Sequence, residues 1–239
     1  MGRNRRKKLV IEDLEVFELA EKGRGVAKDK EGRIVFIERT VPGDIVDVQV
    51  TKKKSAFFQA FPIHFKKKSD IRIEPMCQHF EVCGGCTIQN IPYQKQIEFK
   101  EHNVIQVLNR IGKIYPEEIV PILSAISVDY YRNKLEFSFS NKRWLSNEEM
   151  ASDVSNEVDV LGFHRAGAFD KILQIDHCHL QGGISNELRN SIQEIAIEFG
   201  FSFYDARKQE GIMRNIFIKT STLGQCMLCL LYTSDAADE

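Results

Sequence analysis

The chain of 239 residues is long enough for one large domain or two small ones, each with a core that needs no disulfides. Hydrophobic residues make up 43% and charged residues 28%, which excludes a disordered or fibrous protein. The net charge of −1 is unevenly distributed, because Lys and Arg outnumber Asp and Glu by 17 to 10 through Lys68 and are outnumbered by 16 to 24 after it. A basic N-terminal module indicates a polyanionic partner, although solubilising surface charge explains any single basic triplet equally well.

The N-terminus has the charges of a secretory signal but lacks its apolar segment. Basic residues 3–8 are followed at once by Glu12, Asp13 and Glu15. No apolar run reaches the roughly 18 residues that a membrane span needs. We therefore expect a cytoplasmic protein without a membrane partner. In the reducing cytoplasm, clustered cysteines more often bind metals than form disulfides.

Short strands separated by turns are predicted over residues 9–65. Val46, Val48 and Val50 alternate with polar residues, as in a half-buried strand, and the odd-numbered residues over 57–65 form a second apolar face. Turns rich in Gly, Pro and Asp separate these runs. Strands at this spacing, with no helical pattern, predict a small closed barrel.

The remainder of the chain mixes helical and strand patterns. After a loop rich in Cys, Gly and Pro, a helix is predicted with Pro92 near its start, apolar residues over 97–111 on one face, and Gly112 past its end. The other predicted elements are strands over residues 135–139, 158–163 and 171–175 and from Ile216, a helix over residues 184–199 closed by Gly200, and an exposed polar excursion over residues 141–157.

Three cysteines, Cys77, Cys83 and Cys86, lie within ten residues. The intervening Gly84 and Gly85 allow a turn that puts two sulfurs on one side and leaves backbone N–H groups to donate to them. Thiolates are soft ligands, and both zinc and iron–sulfur clusters want four of them. Cys178, in a polar stretch after a predicted strand, is the candidate for the fourth.

The spacing alone leaves alternatives open. Zinc remains a candidate, whereas a redox Cys-x-x-Cys pair fits poorly because of the extra upstream cysteine. The neighbouring His79, His177 and His179 are interpreted as loop or outer residues rather than ligands. Cys226 and Cys229 lie on a strand-like run and are interpreted as buried small hydrophobes, not nucleophiles.

Several short motifs follow one another along the chain. They are Gly23-x-Gly25-Val26-Ala27, Val35-Phe36-Ile37, Val41-Pro42-Gly43-Asp44, Pro75-Met76-Cys77, Cys83-Gly84-Gly85-Cys86, Tyr93-Gln94-Lys95-Gln96, Tyr131-Arg132-Asn133-Lys134, Leu161-Gly162-Phe163 and Met213-Arg214-Asn215-Ile216. Together they resemble the RNA (uracil-5-)-methyltransferase family of the 23S rRNA type, and the first three resemble its N-terminal TRAM domain. The resemblance covers about residues 9–228.

The resemblance implies an α+β chain: an N-terminal OB-like β-barrel (TRAM) over residues 1–67, an iron–sulfur cysteine loop and helix over 68–113, and an incomplete mixed α/β central domain over 114–228. A Rossmann-like methyltransferase domain is expected to be absent, since no predicted strand leads through a Gly-rich turn into a helix. Residues 229–239 resemble a translated sequencing adapter, which we interpret as a foreign tail on a truncated reading frame.

The same resemblance implies that Cys77, Cys83, Cys86 and Cys178 hold a structural [4Fe-4S] cluster. Members of the family flip the target uridine out of its fold, attack C6 with a cysteine, transfer a methyl group from S-adenosylmethionine to C5 and remove the C5 proton with a carboxylate. These catalytic groups, and the S-adenosylmethionine site, are expected only in the full-length enzyme. We therefore expect this chain to bind RNA and the cluster but to be inactive by itself.

Basic residues near strand ends are the candidates for RNA contacts. They are Arg132, Lys134, His164 and Arg165 in the central domain and Lys52, Lys53 and Lys54 in the barrel, beside Phe57, Phe58 and Phe61. The alternative to an RNA contact is a salt bridge for Arg132 and Arg165. For the phenylalanines, the alternative is a place in the barrel core. The expected partner is ribosomal RNA, or tRNA as in related members, bound by a monomer.

Two rival functions fit part of this pattern. One is a stand-alone RNA-binding protein with a structural zinc site. The other is a radical-SAM RNA-modifying enzyme, which combines a TRAM domain with a cluster held by three closely spaced cysteines. The N-terminal position of the barrel and the available fourth cysteine, Cys178, disfavour the second rival.

Overall fold

A computed structural model describes residues 9–152, 154–168 and 170–233. Contacts within the chain divide it into two compact units. The first unit comprises residues 1–75 and 87–125, and the second comprises residues 76–86 and 126–239. The cysteine loop therefore belongs to the second unit, although the residues on both sides of it belong to the first.

The first unit contains one six-stranded sheet. Its strands are β1 (Val10–Glu15), β2 (Glu18–Ala20), β3 (Arg24–Lys28), β4 (Ile34–Ile37), β5 (Ile45–Lys53) and β6 (Phe57–Lys67). The order is β1-β5-β6-β4-β3-β2, with antiparallel neighbours except for the parallel pair β4 and β6. Leu14 of β1 and Ala27 of β3 share one core, although three other strands lie between β1 and β3 in the sheet. The sheet must therefore curve strongly around this core.

A bulge decides which face of β6 is buried. Val46 of β5 pairs with Phe65, but the register then shifts, so that Val48 pairs with Pro62 and no longer with an odd-numbered residue. An extra residue on one strand reverses the alternation of side chains beyond it. Phe58 and the other even-numbered residues of this part of β6 are therefore buried. The prediction that the odd-numbered residues share the core face is wrong for Phe61, which is exposed.

The predicted helix of the first unit is α1 (Tyr93–Val107), which begins after Pro92 and continues into a wider turn over Leu108–Gly112. Lys113, not Gly112, adopts the left-handed conformation that ends it (φ 54°). Ile97 is buried, whereas Val104 and Ile111 of the same predicted face are exposed. The periodicity located the helix but not the extent of its burial.

The described part of the second unit contains a five-stranded sheet and two helices. Its elements are β7 (Lys134–Ser140), α2 (Asn147–Ala151), β8 (Val160–His164), β9 (Ile172–Gln174), α3 (Ser185–Glu198), β10 (Met213–Thr220) and β11 (Cys226–Tyr232). The strand order is β11-β10-β7-β8-β9, and every pair is antiparallel. The short helix α2 lies inside the predicted excursion and begins with a capping box formed by Ser146 and Glu149.

The predicted fold class is wrong in its second half. The region expected to be a mixed α/β domain is an antiparallel sheet with one long helix, and strands predominate in the described chain. Two of its strand pairs, β8 with β9 and β10 with β11, are joined by short connections, which favour antiparallel neighbours, whereas a parallel pair needs a long crossover. The helical periodicity of α3 is real but supplies only one long helix to this unit.

Both termini bear on sequence predictions. The basic residues 5–8 lie outside the described residues. Of the predicted foreign tail, residues 229–232 lie in β11, which pairs with β10, and residues 234–239 lie outside the described part.

The prediction that Cys226 and Cys229 are buried is wrong for Cys229, which is exposed on β11, while Cys226 is half-buried. Among the described residues, no helix combines the length and apolarity that crossing a bilayer requires.

Candidate functional site

The cysteine loop, residues 76–86, is built from turns that are attached to the five-stranded sheet. The backbone N–H of Cys83 donates to the carbonyl of His79 at 2.9 Å, and that of Gly84 donates to the carbonyl of His164, the last residue of β8, at 3.3 Å. A Cβ atom at Gly84 would lie 3.3 Å from that same carbonyl oxygen. A residue without a side chain therefore permits the loop to approach the end of β8.

Cys178 follows β9 and is buried. Its N–H donates to Asn186 Oδ1 at 2.8 Å, and Asn186 Nδ2 donates to the Cys178 carbonyl at 3.2 Å, so the first turn of α3 fixes the backbone of this cysteine. Cys83 and Cys86 pack against the hydrophobic core to which Cys178 belongs. Two segments that are distant in sequence thus bring thiols to the same core.

Burial and the neighbouring cysteines raise the pKa of two of these thiols, Cys83 and Cys178. The pKa of Cys83 is raised to about 11, first by burial and then by the neighbouring Cys86, Cys178 and Cys77, while the N–H of Gly85, 3.4 Å from Cys83 Sγ, acts in the opposite direction. Burial also raises the pKa of Cys178. Both groups are therefore neutral thiols near pH 7 without a cation, and a bound metal would stabilise their thiolates.

Four thiols form the donor set of an iron–sulfur cluster or of tetrahedral zinc. Within residues 9–152, 154–168 and 170–233, no three His, Cys, Asp or Glu side chains are arranged to hold a single metal ion. His177 Nε2 and His179 Nδ1 instead contact the hydroxyl of Tyr130 at 3.0 and 3.4 Å, and His79 Nε2 lies 3.3 Å from Gln78 Nε2. The four cysteines stay a prediction as ligands, supported by the chemistry and burial of the donor set.

Arg189 is a buried residue of this region that sequence reasoning missed. It is 0% exposed, and its guanidinium lies 5.1 Å from the centre of the Phe137 ring. Burial lowers its pKa to about 10, against the opposing effects of Cys178 and Asp176. Its helical spacing with the buried Ser185 and Ala196 puts it on the packed face of α3. The sequence carries no signal for this burial, because the apolar periodicity of the helix predicts a different face.

Two predicted RNA contacts, Lys134 and His164, lie on the neighbouring strands β7 and β8. Lys134 is exposed, and its Nζ lies 5.0 Å from the centre of the Phe217 ring. His164 is exposed as well, and its Nε2 lies 3.1 Å from Ser138 Oγ. The structure therefore places a cation and an imidazole on the accessible surface of this sheet, where they remain candidates.

The other two central-domain candidates are Arg132 and Arg165. Arg132 is exposed, and its backbone N–H donates to the Leu180 carbonyl at 2.8 Å. The Arg165 guanidinium lies 5.3 Å from the centre of the Trp144 ring, and its buried Nε has no hydrogen-bond partner within the described ranges. Neither arginine forms a salt bridge within the described part of the chain, so that alternative has no support there.

The lysine triplet Lys52 to Lys54 lies in the first unit, where β5 ends. All three lysines are exposed. Of the adjacent phenylalanines, Phe58 is in the core, Phe57 packs edge-on against Phe36 at 5.4 Å, and Phe61 is exposed. The alternative that these phenylalanines belong to the barrel core therefore holds for Phe58 but not for Phe61.

Residues 5–60 match the model of the TRAM domain family. The chain carries a TRAM domain. This TRAM domain includes strands β1 to β5, the start of β6 and the Lys52 to Lys54 triplet.

Nearly the whole chain is similar to RNA methyltransferases. It is 45% identical over 214 residues to an uncharacterized RNA methyltransferase of Bacteroides thetaiotaomicron, a match that covers 89% of this chain and 47% of that protein. A relative of the same description from Porphyromonas gingivalis is 42% identical, covering 93% and 49%. A 23S rRNA (uracil(1939)-C(5))-methyltransferase RlmD of Francisella tularensis is 38% identical over 56% of the chain and 30% of that protein. The chain spans about half the length of the first two relatives.

A solved structure shares this fold. It is the tRNA (uracil-54, C5)-methyltransferase of Pyrococcus abyssi in complex with S-adenosyl-L-homocysteine, with a TM-score of 0.60 and 20% identity, covering 94% of this chain and 48% of that one. The expectation of a chain without a methyltransferase fold is thereby corrected: over nearly its whole length, the chain has the fold of part of a methyltransferase. The sequence search for a Gly-rich turn could not detect this, because the shared part consists mostly of strands.

Proposed function

We propose that this chain is part of an S-adenosylmethionine-dependent methyltransferase that converts a uridine of 23S rRNA to 5-methyluridine in the cytoplasm. The observation that carries the proposal is the similarity of about nine-tenths of the chain to RNA methyltransferases. The relative from Francisella tularensis supports uracil C5 in 23S rRNA as the target. The solved neighbour acts on uracil C5 of tRNA and binds S-adenosyl-L-homocysteine, which supports the methyl donor and leaves tRNA as the other RNA class.

RNA binding is proposed for both units. Exposed lysines Lys52 to Lys54 of the TRAM domain would neutralise backbone phosphates. In the second unit, the same role is proposed for Arg132, Lys134 and Arg165, with His164 contributing a ring that donates or accepts hydrogen bonds. These positions would orient the RNA without reading its sequence, so the choice of uridine must depend on other contacts.

The proposed cluster site consists of Cys77, Cys83, Cys86 and Cys178. The residues fit an anionic, thiolate-bound group on two grounds. Cys83, Cys86 and Cys178 meet at one core, with Cys77 near enough to affect the pKa of Cys83, and the buried guanidinium of Arg189 acts on Cys178. A [4Fe-4S] cluster bound there would tie the cysteine loop to the start of α3, with every iron held by a protein thiolate and none left open to substrate. Its proposed role is structural.

The domain boundaries at residues 67, 113 and 228 and the monomeric state remain proposals. The same holds for the expected inactivity of this chain by itself. A methyl-transfer assay with labelled S-adenosylmethionine and unmodified 23S rRNA tests that expectation directly. Incorporation of label at C5 of uridine by the chain alone would contradict it.

The proposed function is tested by metal analysis and RNA binding of the anaerobically purified full chain. We expect iron and acid-labile sulfide with a brown visible absorption, and binding to 23S rRNA transcripts that weakens steeply with salt. Zinc in place of iron would favour a stand-alone RNA-binding protein with a structural zinc site. A chain that shows no preference for RNA over a DNA duplex of equal charge would contradict the proposed function itself.

A further inference from the structure

The guanidinium of Arg189 is buried among neutral acceptors. Nη1 donates to Asn186 Oδ1 at 3.0 Å, and Nη2 donates to the Asp176 carbonyl at 2.6 Å and to Asn190 Oδ1 at 2.9 Å. Nε is buried and has no hydrogen-bond partner among the residues that the structure describes. No ion pair of the described residues includes this arginine. A full positive charge therefore lies in the core of the second unit, against neutral acceptors and the Phe137 ring, without an ion-pair partner among the described residues.

Such an arrangement is costly unless an anion compensates the charge. Removing a guanidinium from water carries a large desolvation penalty, which neutral hydrogen-bond acceptors offset only in part. The groups whose negative charge would act on Arg189 are Cys178 and Asp176. The Asp176 residue is exposed, whereas Cys178 is buried beside the other cysteines. The compensating anion is therefore best supplied by the cysteine site.

Arg189 is also connected to Cys178 through one side chain. Asn186 Oδ1 accepts both the backbone N–H of Cys178 at 2.8 Å and the Nη1 donor of Arg189 at 3.0 Å. The Nδ2 of the same amide donates back to the Cys178 carbonyl at 3.2 Å. The arginine thus fixes the orientation of the amide that holds the fourth cysteine.

We propose that Arg189 is the counter-ion of the cysteine site: its buried charge stabilises the excess negative charge of the four thiolates when they hold an iron–sulfur cluster, and through Asn186 it positions Cys178. This inference rests on the cluster of the proposed function. Four thiolates outweigh the positive charge of the cluster core, so the bound site is anionic and a fixed cation beside it is favourable. Arg189 is a positioning residue and does not touch substrate.

The test compares Arg189→Met, Arg189→Lys and the parent in the full chain reconstituted anaerobically with iron and sulfide. Arg207→Met removes a cation from an exposed site of the same unit and serves as the matched control. We expect Arg189→Met to lose iron to a chelator about 10 to 100 times faster than the parent, the range typical when a residue that supports a metal ligand is removed. Its reduction potential should shift to a more negative value, because the reduced cluster carries more negative charge. Arg189→Lys should restore most of both properties, and Arg207→Met should match the parent.

A second measurement separates a counter-ion from a purely structural residue. In the metal-free chain, Arg189→Met should unfold at the same or a higher temperature than the parent, because methionine removes an uncompensated buried charge. If Arg189→Met instead destabilises the metal-free chain while iron loss and potential match the parent, the arginine is merely part of the core and the inference fails.

The failure of the cluster itself would look different. A parent chain that takes up neither iron nor zinc overturns both the cluster and the counter-ion. A parent chain that binds zinc and loses it faster after Arg189→Met rejects the cluster but retains the counter-ion role, since zinc held by four thiolates is also anionic.

Discussion

Each unit has an arginine that is partly or fully withdrawn from solvent, and the two units compensate its charge in opposite ways. In the first unit, Arg72 forms a two-point ion pair with the fully buried Asp44, with Nε to Oδ1 at 2.9 Å and Nη2 to Oδ2 at 2.5 Å. Asp44 also accepts the backbone N–H groups of Val41 and Ser69. In the second unit, Arg189 is more deeply buried and has no carboxylate partner in the described part of the chain. The charge of Arg72 is compensated by Asp44, whereas no carboxylate of the described residues compensates the charge of Arg189.

This contrast indicates what each unit needs in order to fold. The first unit contains the counter-charge of Arg72 and its own hydrophobic clusters, so we expect its stability to be independent of metal. The second unit combines neutral, buried thiols with an unbalanced guanidinium, so its stability should rise when a metal converts the thiols to thiolates. Substitutions in either unit can therefore break or refine the contrast.

The largest expected effect is that of Asp44→Asn. The amide keeps the shape and one acceptor but leaves Arg72 without a counter-charge, so the free energy of unfolding should fall by about 3–5 kcal/mol. Denaturant titration of the full chain measures it. Glu31→Gln, which breaks the exposed pair with Arg33, should change it by less than about 1 kcal/mol. Equal effects of both substitutions would mean that the buried pair is no more important than the exposed one.

Removal of a proposed ligand should act on the second unit alone. Cys178→Ser should weaken iron retention by at least the roughly 10- to 100-fold that removal of a residue supporting a ligand costs. Iron and sulfide analysis after chelator challenge measures this, with the exposed Cys229→Ser as control. Unchanged cluster content in Cys178→Ser would favour a three-cysteine site of the radical-SAM type instead.

RNA binding should draw on both units. Replacing Lys52, Lys53 and Lys54 with alanine should reduce the slope of log affinity against log salt by about 0.7 for each phosphate of single-stranded RNA that is no longer neutralised. Replacing Arg132 and Lys134 should do the same independently. Fluorescence anisotropy over a salt series gives both slopes. A parental slope in either set of variants would remove that unit from the proposed interface, and Lys30→Ala in an exposed turn is the control.

The smallest effect concerns acid stability of the second unit. Backbone N–H groups of Lys208 and Arg207, with Lys142, hold the pKa of Asp205 well below its usual range. This carboxylate therefore contributes stability that is complete above about pH 4 and is lost as the pH falls toward its lowered pKa. Denaturant titrations at a series of pH values measure this, and Asp205→Asn should reduce the loss of unfolding free energy at acid pH.

Asp159 offers the opposite case for the same measurement, because burial raises its pKa. Its contribution is favourable at low pH and is lost as the pH rises, so Asp159→Asn should not reduce stability near neutral pH. An unchanged loss of unfolding free energy at acid pH in Asp205→Asn, or a loss of neutral stability in Asp159→Asn, would contradict these assignments.

Periodicity and turn chemistry were sufficient for the positions of most elements. The alternation around Val46 marks β5, and the helical pattern closed by Gly200 marks α3, which ends two residues earlier. The faces of these elements were less predictable. On α3, Ser185, Arg189 and Ala196 are buried, whereas Ile184 and Ile195 of the predicted apolar face are about half exposed. A rotation of the helix by one residue position exchanges the buried and the exposed set. The elements that pack against the helix determine which set is buried.

The positions of most strands, of the two long helices and of the cysteines could be read from the sequence alone, because they depend on local spacing and on residue type. Tertiary structure was needed to establish which side of β6 faces the core, since one bulge reverses the alternation beyond it. It was also needed to establish that residues 76–86 and Cys178 pack on one core and that Arg189 is buried near them. Burial of a charge depends on groups from distant segments, and no local pattern of a single sequence encodes that proximity.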